Sequence, residues 1–353
     1  MAKTLRNEYD KNLTYENLMR AHIQSRKGKG YRKEIILFNL KQEEYIMWLK
    51  EQLETGKYKH GGYTVFYITE PKLRKIEKSR YIDRIVHRWY VNSFMEKYFV
   101  LQFIQTSYAC IKRKGMHKAT LDLQKAMKKC KTKWNNYYIL KMDIKKYFEN
   151  INKEIMYKIL QRKIKDKKVL WLTKEIIYSN EGKTGLPIGN YTSQIFANIY
   201  LNELDQYLKH KLKCKYYFRY MDDSIILVKT KQEAKQILEK IRGFLKTNLE
   251  LELNSKTQIF RDKQGVNFCG YKINEHRLKI RDKGKRKLKK KVKELKYKIK
   301  QGEITSKEAK KYLAGHLGYI KIANTYSLEK KLFEWSKKIG KKKNRGIGWK
   351  GQQ

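Results

Sequence analysis

Three carboxylates have neighbours that could turn them to chemistry. Asp143 lies near the end of the apolar run Tyr138–Ile144, and Asp222-Asp223 stands between the short runs Tyr216–Arg219 and Ser224–Val228. The first run predicts a strand, and the other two predict a hairpin with the acids at its tip. In an antiparallel sheet such ends can lie side by side. Aspartate oxygens suit Mg²⁺. Two such ions about 3.5–4 Å apart stabilise the attacking and leaving oxygens when a hydroxyl displaces pyrophosphate from an α-phosphate. An Asp-Asp pair in a turn is by itself ordinary, because turns favour Asp. Its weight here comes from Asp143 and from the ordered elements on either side.

Those elements follow from periodicity. Residues 1–60 read as basic and helical, with breaks at Lys27–Gly30 and Gly61–Gly62. Tyr63–Ile68 predicts a strand, Tyr81–Phe103 a helix and Lys153–Ile164 another. Thr230 and Glu233 have capping-box spacing. They open a helix whose apolar positions run from Ala234 through Ile241 to Leu245. Leu249, Leu251 and Leu253 alternate as a half-buried strand should. The order strand, helix, hairpin, helix, strand predicts an α+β chain with a split βαβ, ferredoxin-like core. Further on, Leu288, Val292, Leu295 and Ile299 form one apolar stripe among lysines. A second helix is expected over Ser306–Ala323, and Gly340–Gln353 is expected to be a disordered basic tail.

Bulk composition limits the partners. The chain has 353 residues and a formal charge of +49. An excess of that size calls for a polyanion, and nucleic acid fits because phosphate neutralisation releases counterions. Part of the lysine excess can be composition bias, so charge only supports the reading. No apolar run approaches ~20 residues and the N-terminus lacks a signal-like apolar core, so a cytoplasmic protein without membrane attachment is expected. Cys110, Cys130, Cys214 and Cys269 form no C-x-x-C pair, which predicts free, mostly buried thiols rather than zinc ligands.

Tyr220-Met221-Asp222-Asp223 resembles the Y-x-D-D box of reverse transcriptases, and Asp143 with Phe148 resembles their first catalytic motif. The resemblance implies a right-hand polymerase fold with fingers, ferredoxin-like palm and α-helical thumb. It also implies RNA-directed DNA polymerase activity with two Mg²⁺ ions, Mn²⁺ being able to substitute. Asp143, Asp222 and Asp223 would be the metal ligands, joined by the backbone carbonyl of Ile144. Phe148 would pack beneath the sugar and reject a 2′ hydroxyl. Glu70-Pro71-Lys72-Leu73-Arg74 resembles the fingers motif whose Lys and Arg grip a dNTP, a task suited to a point charge beside a planar fork. Arg80 and Asp83-Arg84 belong to the next stretch of the pattern. Asn254-Ser255-Lys256-Thr257 resembles the motif whose Lys nears nucleotide or primer phosphates. Phe268-Cys269-Gly270-Tyr271 resembles the primer grip, with Cys269, Gly270 and Tyr271 at the primer end. The implied domains are a basic helical extension (1–60), fingers and palm (61–275), a thumb (276–340) and a tail (341–353).

The segment Leu186-Pro187-Ile188-Gly189-Asn190-Tyr191-Thr192-Ser193-Gln194 narrows the resemblance. Where group II intron and retroviral enzymes usually carry Gln-Gly-x-x-x-Ser-Pro, this chain has Ile188 for the Gln and Gln194 for the Pro. That variant is similar to reverse transcriptases of diversity-generating retroelements, as are the segments Ser107–Ala119, Phe196–Asp205 and Gly315–Gly318. The stretches Ile111–His117 and Ser79–Arg84 depart from the usual pattern. Ile188, Gly189, Ser193 and Gln194 would then set fidelity at the template, and Ile188 would also contact the dNTP. Ile offers no hydrogen bond, so alignment rests on shape. The resemblance implies misincorporation opposite template adenines during mutagenic retrohoming. It also implies a template RNA paired as an RNA/DNA hybrid with its primer, and a small basic oligomeric accessory variability protein. No endonuclease domain is expected. Rival readings are a retron or phage-defence reverse transcriptase, and a non-catalytic RNA-binding scaffold.

Overall fold

The computed structural model describes residues 4–330 apart from Pro71, together with Leu332. Four helices come first: α1 (Tyr9–Asn12), α2 (Tyr15–Arg26), α3 (Lys33–Leu40) and α4 (Gln42–Glu54). A hairpin of β1 (Tyr63–Ile68) and β2 (Arg74–Ser79) follows. Next is α5 (Tyr81–Tyr90), which runs through a π-helical turn at Val91–Met95 into α6 (Glu96–Tyr98). After α7 (Met116–Trp134) and β3 (Tyr138–Met142) come four helices: α8 (Tyr147–Asn150), α9 (Lys153–Gln161), α10 (Lys167–Ile177) and α11 (Tyr191–Gln206). The hairpin of β4 (Tyr216–Tyr220) and β5 (Asp223–Val228) leads to α12 (Lys231–Leu249) and β6 (Gln258–Arg261). The remainder is β7 (Val266–Phe268), β8 (Tyr271–Ile273), β9 (Leu278–Ile280), α13 (Asp282–Lys300) and α14 (Ser306–Ile320). The expected tail and the last residues of the expected thumb lie outside the described residues.

The chain divides into two compact units, residues up to Gly115 with Leu140–Ile259, and Met116–Ile139 with the chain from Phe260 onward. The division passes through β3 and β6. Their sheet has the order β4-β5-β3-β6. The hairpin is at one edge and the first strand lies between β5 and the last, which is the ferredoxin-like arrangement that the element order predicts. The fold is the α+β right-hand polymerase type. β5 is buried at all of Ser224–Val228, so it reads as a continuous apolar run because both of its faces are covered. α11 likewise buries Ile195–Leu201 without a break.

Two local expectations need correction. Leu249, Leu251 and Leu253 do not form a strand. Leu249 ends α12, Glu250 takes φ +50°, and the Leu251 N–H reaches back to the Leu245 carbonyl at 3.1 Å, a Schellman-type stop. Leu253 then meets Ile144 in an isolated antiparallel bridge. The alternation reflects a buried helix end followed by that bridge. At the start of α12 the Thr230 side chain accepts from the Glu233 N–H, but the Glu233 carboxylate accepts from Lys229 N–H instead of closing the box on Thr230.

The four cysteines are free, with Cys130 and Cys214 buried, Cys269 half-buried and Cys110 exposed. Among the described residues no helix is long and apolar enough to cross a membrane.

Candidate active site

The register pairs Tyr220 with Asp223, so the hairpin turn is two residues, Met221 and Asp222. Met221 takes φ +56°, the left-handed region that lets so short a turn close. Asp222 therefore occupies the turn, and Asp223 is the first residue of β5 rather than part of the tip. Both are half-buried. Burial, then the nearby Asp143 charge, raises the Asp222 carboxyl to about 6, although Arg74 and Lys72 pull the other way. Burial also raises Asp223 to about 6 against the opposing Lys141, with Asp143 and Asp222 adding to the rise. The three aspartates thus act on one another electrostatically, and Arg74 and Lys72 act on Asp222.

Asp143 follows β3 and is held by a short ladder. Asn254 N–H donates to the Asp143 carbonyl at 2.7 Å, and Lys145 N–H donates to Glu252 carbonyl at 3.0 Å. Asn254 Nδ2 also reaches Asp143 Oδ2 at 3.3 Å. In this pairing Ile144 and Leu253 face each other without exchanging hydrogen bonds, so the Ile144 carbonyl is turned away from that partner. Within the Asn254–Thr257 motif, Asn254 is therefore the residue at the carboxylate, while the Lys256 side chain is exposed. Lys141 on β3 also went unnoticed in the sequence. Its ammonium lies 3.3 Å from Asp223 Oδ1 and 3.4 Å from Oδ2.

The Met221-Asp222 turn rests on a buried polar network. Arg219, fully buried on β4, donates to Asp205 Oδ1 through Nε at 2.8 Å and to Asp205 Oδ2 through Nη2 at 2.5 Å. Its Nη1 donates to Asn198 Oδ1 at 3.0 Å and to the Met221 carbonyl at 3.1 Å. Tyr217 hydroxyl adds a bond to Asp205 at 2.7 Å, and Asn198 Nδ2 ties the set to the Ala109 carbonyl at 2.9 Å. A charged residue in an apolar strand, together with Asp205 on an apolar helix, was the available signal for this network.

The loop Gly185–Gly189 joins Phe148 to the β1–β2 hairpin. Leu186 N–H donates to the Phe148 carbonyl at 2.8 Å, and Glu77 N–H on β2 donates to the Ile188 carbonyl at 3.1 Å. Phe148 and Ile188 are half-buried. Gly189 takes φ +135°, and a Cβ there would sit 3.2 Å from the Glu77 carbonyl. Gly189→Ala is expected to cost on the order of 1–2 kcal/mol in chemical denaturation and to raise KM for dNTP by displacing β2. An unchanged KM would mean that the loop does not set the hairpin. Ser193 is buried in α11, and exposed Gln194 accepts from the Cys110 thiol at 3.3 Å.

Asp83 and Arg84 hold the hairpin's root. Asp83 accepts from Tyr58 hydroxyl at 2.7 Å and from Gly61 N–H at 3.2 Å. Arg84 donates from Nη2 to both Glu34 oxygens at 3.0 Å and from Nε to the Ser79 carbonyl at 3.1 Å. Lys72 and Arg74, beyond that root, are exposed.

Cys269, Gly270 and Tyr271 belong to the second unit. Cys269 (φ +49°) and Gly270 (φ +86°) form the turn between β7 and β8. Tyr319 hydroxyl donates to the Gly270 carbonyl, and the space a Gly270 Cβ would need is filled by that hydroxyl. The rings of Tyr271 and Tyr319 stack at 4.5 Å.

The carboxylates fit hard divalent cations in donor type. No hydrogen bond reaches the buried Asp223 Oδ1, although Lys141 is near it. Among the described residues no three His, Cys, Asp or Glu side chains are gathered at ligand spacing. Lys141 lies beside Asp223, and Asn254 beside Asp143.

A profile described as Reverse transcriptase (RNA-dependent DNA polymerase) matches residues 69–273. Protein YkfC of Escherichia coli (strain K12) is 26% identical over 268 residues, covering 64% of this chain and 70% of that protein. Group II intron-encoded protein LtrA of Lactococcus lactis subsp. cremoris is 23% identical over 309 residues, covering 67% of this chain and 50% of LtrA. Retron Ec73 reverse transcriptase of Escherichia coli is 28% identical over 201 residues, covering 53% of this chain and 56% of that protein. The chain thus spans about half the length of these last two relatives. Apo telomerase from Candida Tropicalis, truncated from its C-terminal domain, aligns with TM-score 0.47 at 15% identity, covering 62% of this chain and 55% of that one.

Proposed function

The chain belongs to the reverse transcriptase (RNA-dependent DNA polymerase) family, and from that premise we propose that it copies a template-repeat RNA into cDNA with errors opposite adenines, in the mutagenic retrohoming of a diversity-generating retroelement. The observation that carries this reading is Ile188. Its backbone is fixed to β2 through Glu77 and its loop to the Phe148 carbonyl through Leu186, yet its side chain offers a template or nucleotide no hydrogen bond. Selection there rests on shape, which discriminates by at most a few kcal/mol.

In this reading Asp143, Asp222 and Asp223, with the Ile144 carbonyl, hold two Mg²⁺ ions, for which Mn²⁺ can substitute. Bound there, the ions would supply Lewis-acid stabilisation of the attacking and leaving oxygens. Lys72 and Arg74 grip the dNTP triphosphate, Phe148 excludes a 2′ hydroxyl, and Lys256 approaches the phosphates. Gly189, Ser193 and Gln194 shape the template site, and Cys269, Gly270 and Tyr271 contact the primer end. Residues 61–275 serve as fingers and palm and 276–340 as thumb. A small basic accessory protein joins the complex in the cytoplasm.

Ile188→Gln is expected to lower misincorporation opposite template adenine about tenfold, equivalent to about 1.4 kcal/mol. Deep sequencing of cDNA made by both proteins on one RNA reads the effect. An unchanged adenine spectrum would reject the retroelement assignment and leave the family standing. The second reading, a reverse transcriptase of the group II intron or retron kind, is favoured by the 309-residue alignment with LtrA. It expects no adenine bias in the wild type.

A further inference from the structure

The sheet β7-β8-β9 has two chemically opposite faces. Val266, Phe268, Tyr271, Ile273, Leu278 and Ile280 seal one of them. The other carries the middle residue of each strand, exposed Asn267, Lys272 and Lys279. The register sets Asn267 opposite Lys272 and Lys272 opposite Lys279. The two lysines are therefore direct cross-strand neighbours, with Cβ atoms about 5 Å apart, a placement that destabilises a sheet when both are charged. Among the described residues no ion pair relieves either lysine.

This row opens into a groove of about 520 Å³, where Arg281, Lys283, Lys285 and Arg286 from the start of α13 join Lys272 and Lys279. Asp282 is the one acid of its lining and lies 3.6 Å from Lys285. A smaller groove of about 210 Å³ continues past the same two lysines to Lys263 and Arg277. The placement of α13 is built in. A Cβ on Gly284 would lie 2.9 Å from Ile280 Cγ2, so the bare backbone lets the first turn of α13 lie close against β9.

So many cations in one run of groove match a polyanion with repeated charges rather than a small one. No aromatic side chain lines either groove. A surface that reads unpaired bases uses aromatic stacking platforms. Paired RNA hides its bases and is recognised through phosphates and shape. We propose that this groove, wholly within the second unit, binds the phosphodiester backbone of a base-paired RNA stem without regard to sequence. The site goes beyond template copying and uses none of the residues assigned to metal, nucleotide, template or primer.

The test uses the full chain carrying Lys272→Ser with Lys279→Ser, in chelator and without nucleotides. It is titrated with a fluorescein-labelled RNA stem-loop across a KCl series. Two lost phosphate contacts are expected to make the slope of log affinity against log salt shallower by about 1.8 and to weaken low-salt binding roughly tenfold. The Lys272→Arg/Lys279→Arg protein should bind as wild type does. Primer extension on a short RNA/DNA duplex should keep its KM and kcat, so failure of the polymerase reading would not touch the binding result. Unchanged affinity and slope would overturn the site. So would a matching loss of KM or kcat on the short duplex, which would make the groove part of the primer–template path. Weakened binding of an unpaired RNA of the same length, with stem-loop binding intact, would also overturn it.

Discussion

Asp222→Asn is expected to abolish primer extension while making the metal-free protein harder to unfold. The two effects share a cause. Asp222 is half-buried in a two-residue turn, and burial together with Asp143 raises its carboxyl to about 6. An amide of the same shape removes one repelling charge and costs no packing. The shift from the usual 3.8 to about 6 corresponds to roughly 3 kcal/mol. Partial exposure reduces that to on the order of 1–2 kcal/mol. On the proposed reading, with metal and nucleotide present, the same loss of charge would weaken the cation clamp. The expected fall in kcat is roughly a thousandfold or more, about 4 kcal/mol. Single-turnover extension on an RNA template and thermal melting in chelator read the two halves. Retained extension would remove Asp222 from the clamp, and a lower melting temperature would make its charge structural.

The pH dependence follows with a definite sign. A carboxyl whose folded value lies above its unfolded one binds its proton more tightly in the folded state. Its stabilising effect is therefore complete below about pH 4 and is lost as pH rises through about 6. Asp223 follows the same direction, since burial raises it to about 6 as well. In chelator, the gap in melting temperature between Asp222→Asn and wild type should widen from pH 4 to pH 7. A gap that is constant with pH would mean that Asp222 ionises normally in the metal-free fold.

The carboxylates and their strands were legible because short apolar runs, a short turn and acids at strand ends are all local signals. The strand order was legible in part: helices between strands leave few ways to complete the sheet, but its last strand is Gln258–Arg261 and not Leu249–Leu253. What was hidden is long-range. Asn254 lies 111 positions from Asp143 in sequence, and only the bridge between Ile144 and Leu253 brings them together. Lys141 could be read as a strand residue, but its meeting with Asp223 depends on β3 lying beside β5. The alternating leucines after α12 misled because a helix end and a lone bridge bury the same positions a strand would. The resemblance puts Gly270 at the primer end, but nothing local in the sequence shows that its missing Cβ makes room for the Tyr319 hydroxyl, 49 positions on.

Arg219 gives the second large effect, and a single substitution there cannot be interpreted alone. Arg219→Met leaves Asp205 buried and unpaired, which typically costs 3–5 kcal/mol. It also removes the donor that fixes the Met221 carbonyl, one residue from Asp222. Activity and melting temperature should therefore fall together. Replacing the ion pair together with its Tyr217 partner separates them, leaving only the buried Asn198 Oδ1 and the Met221 carbonyl without the donor they had in Arg219. Arg219→Met with Asp205→Leu and Tyr217→Phe leaves neither an orphaned charge nor the Tyr217 hydroxyl that had donated to Asp205. Apolar groups of similar volume often match or exceed a buried ion pair in stability, so the melting temperature should recover most of its loss, short of the cost of the unpaired Asn198 Oδ1. The turn would still lack its guanidinium anchor, and a displacement of about 1 Å at a catalytic group lowers rate roughly a hundredfold. The triple variant should thus fold normally, keep its affinity for primer–template, and lose about two orders of magnitude in kcat. If kcat recovers along with the melting temperature, the network serves the core alone and Met221 needs no anchor. If kcat stays low while the fold is restored, Arg219 acts on catalysis through the position of the turn.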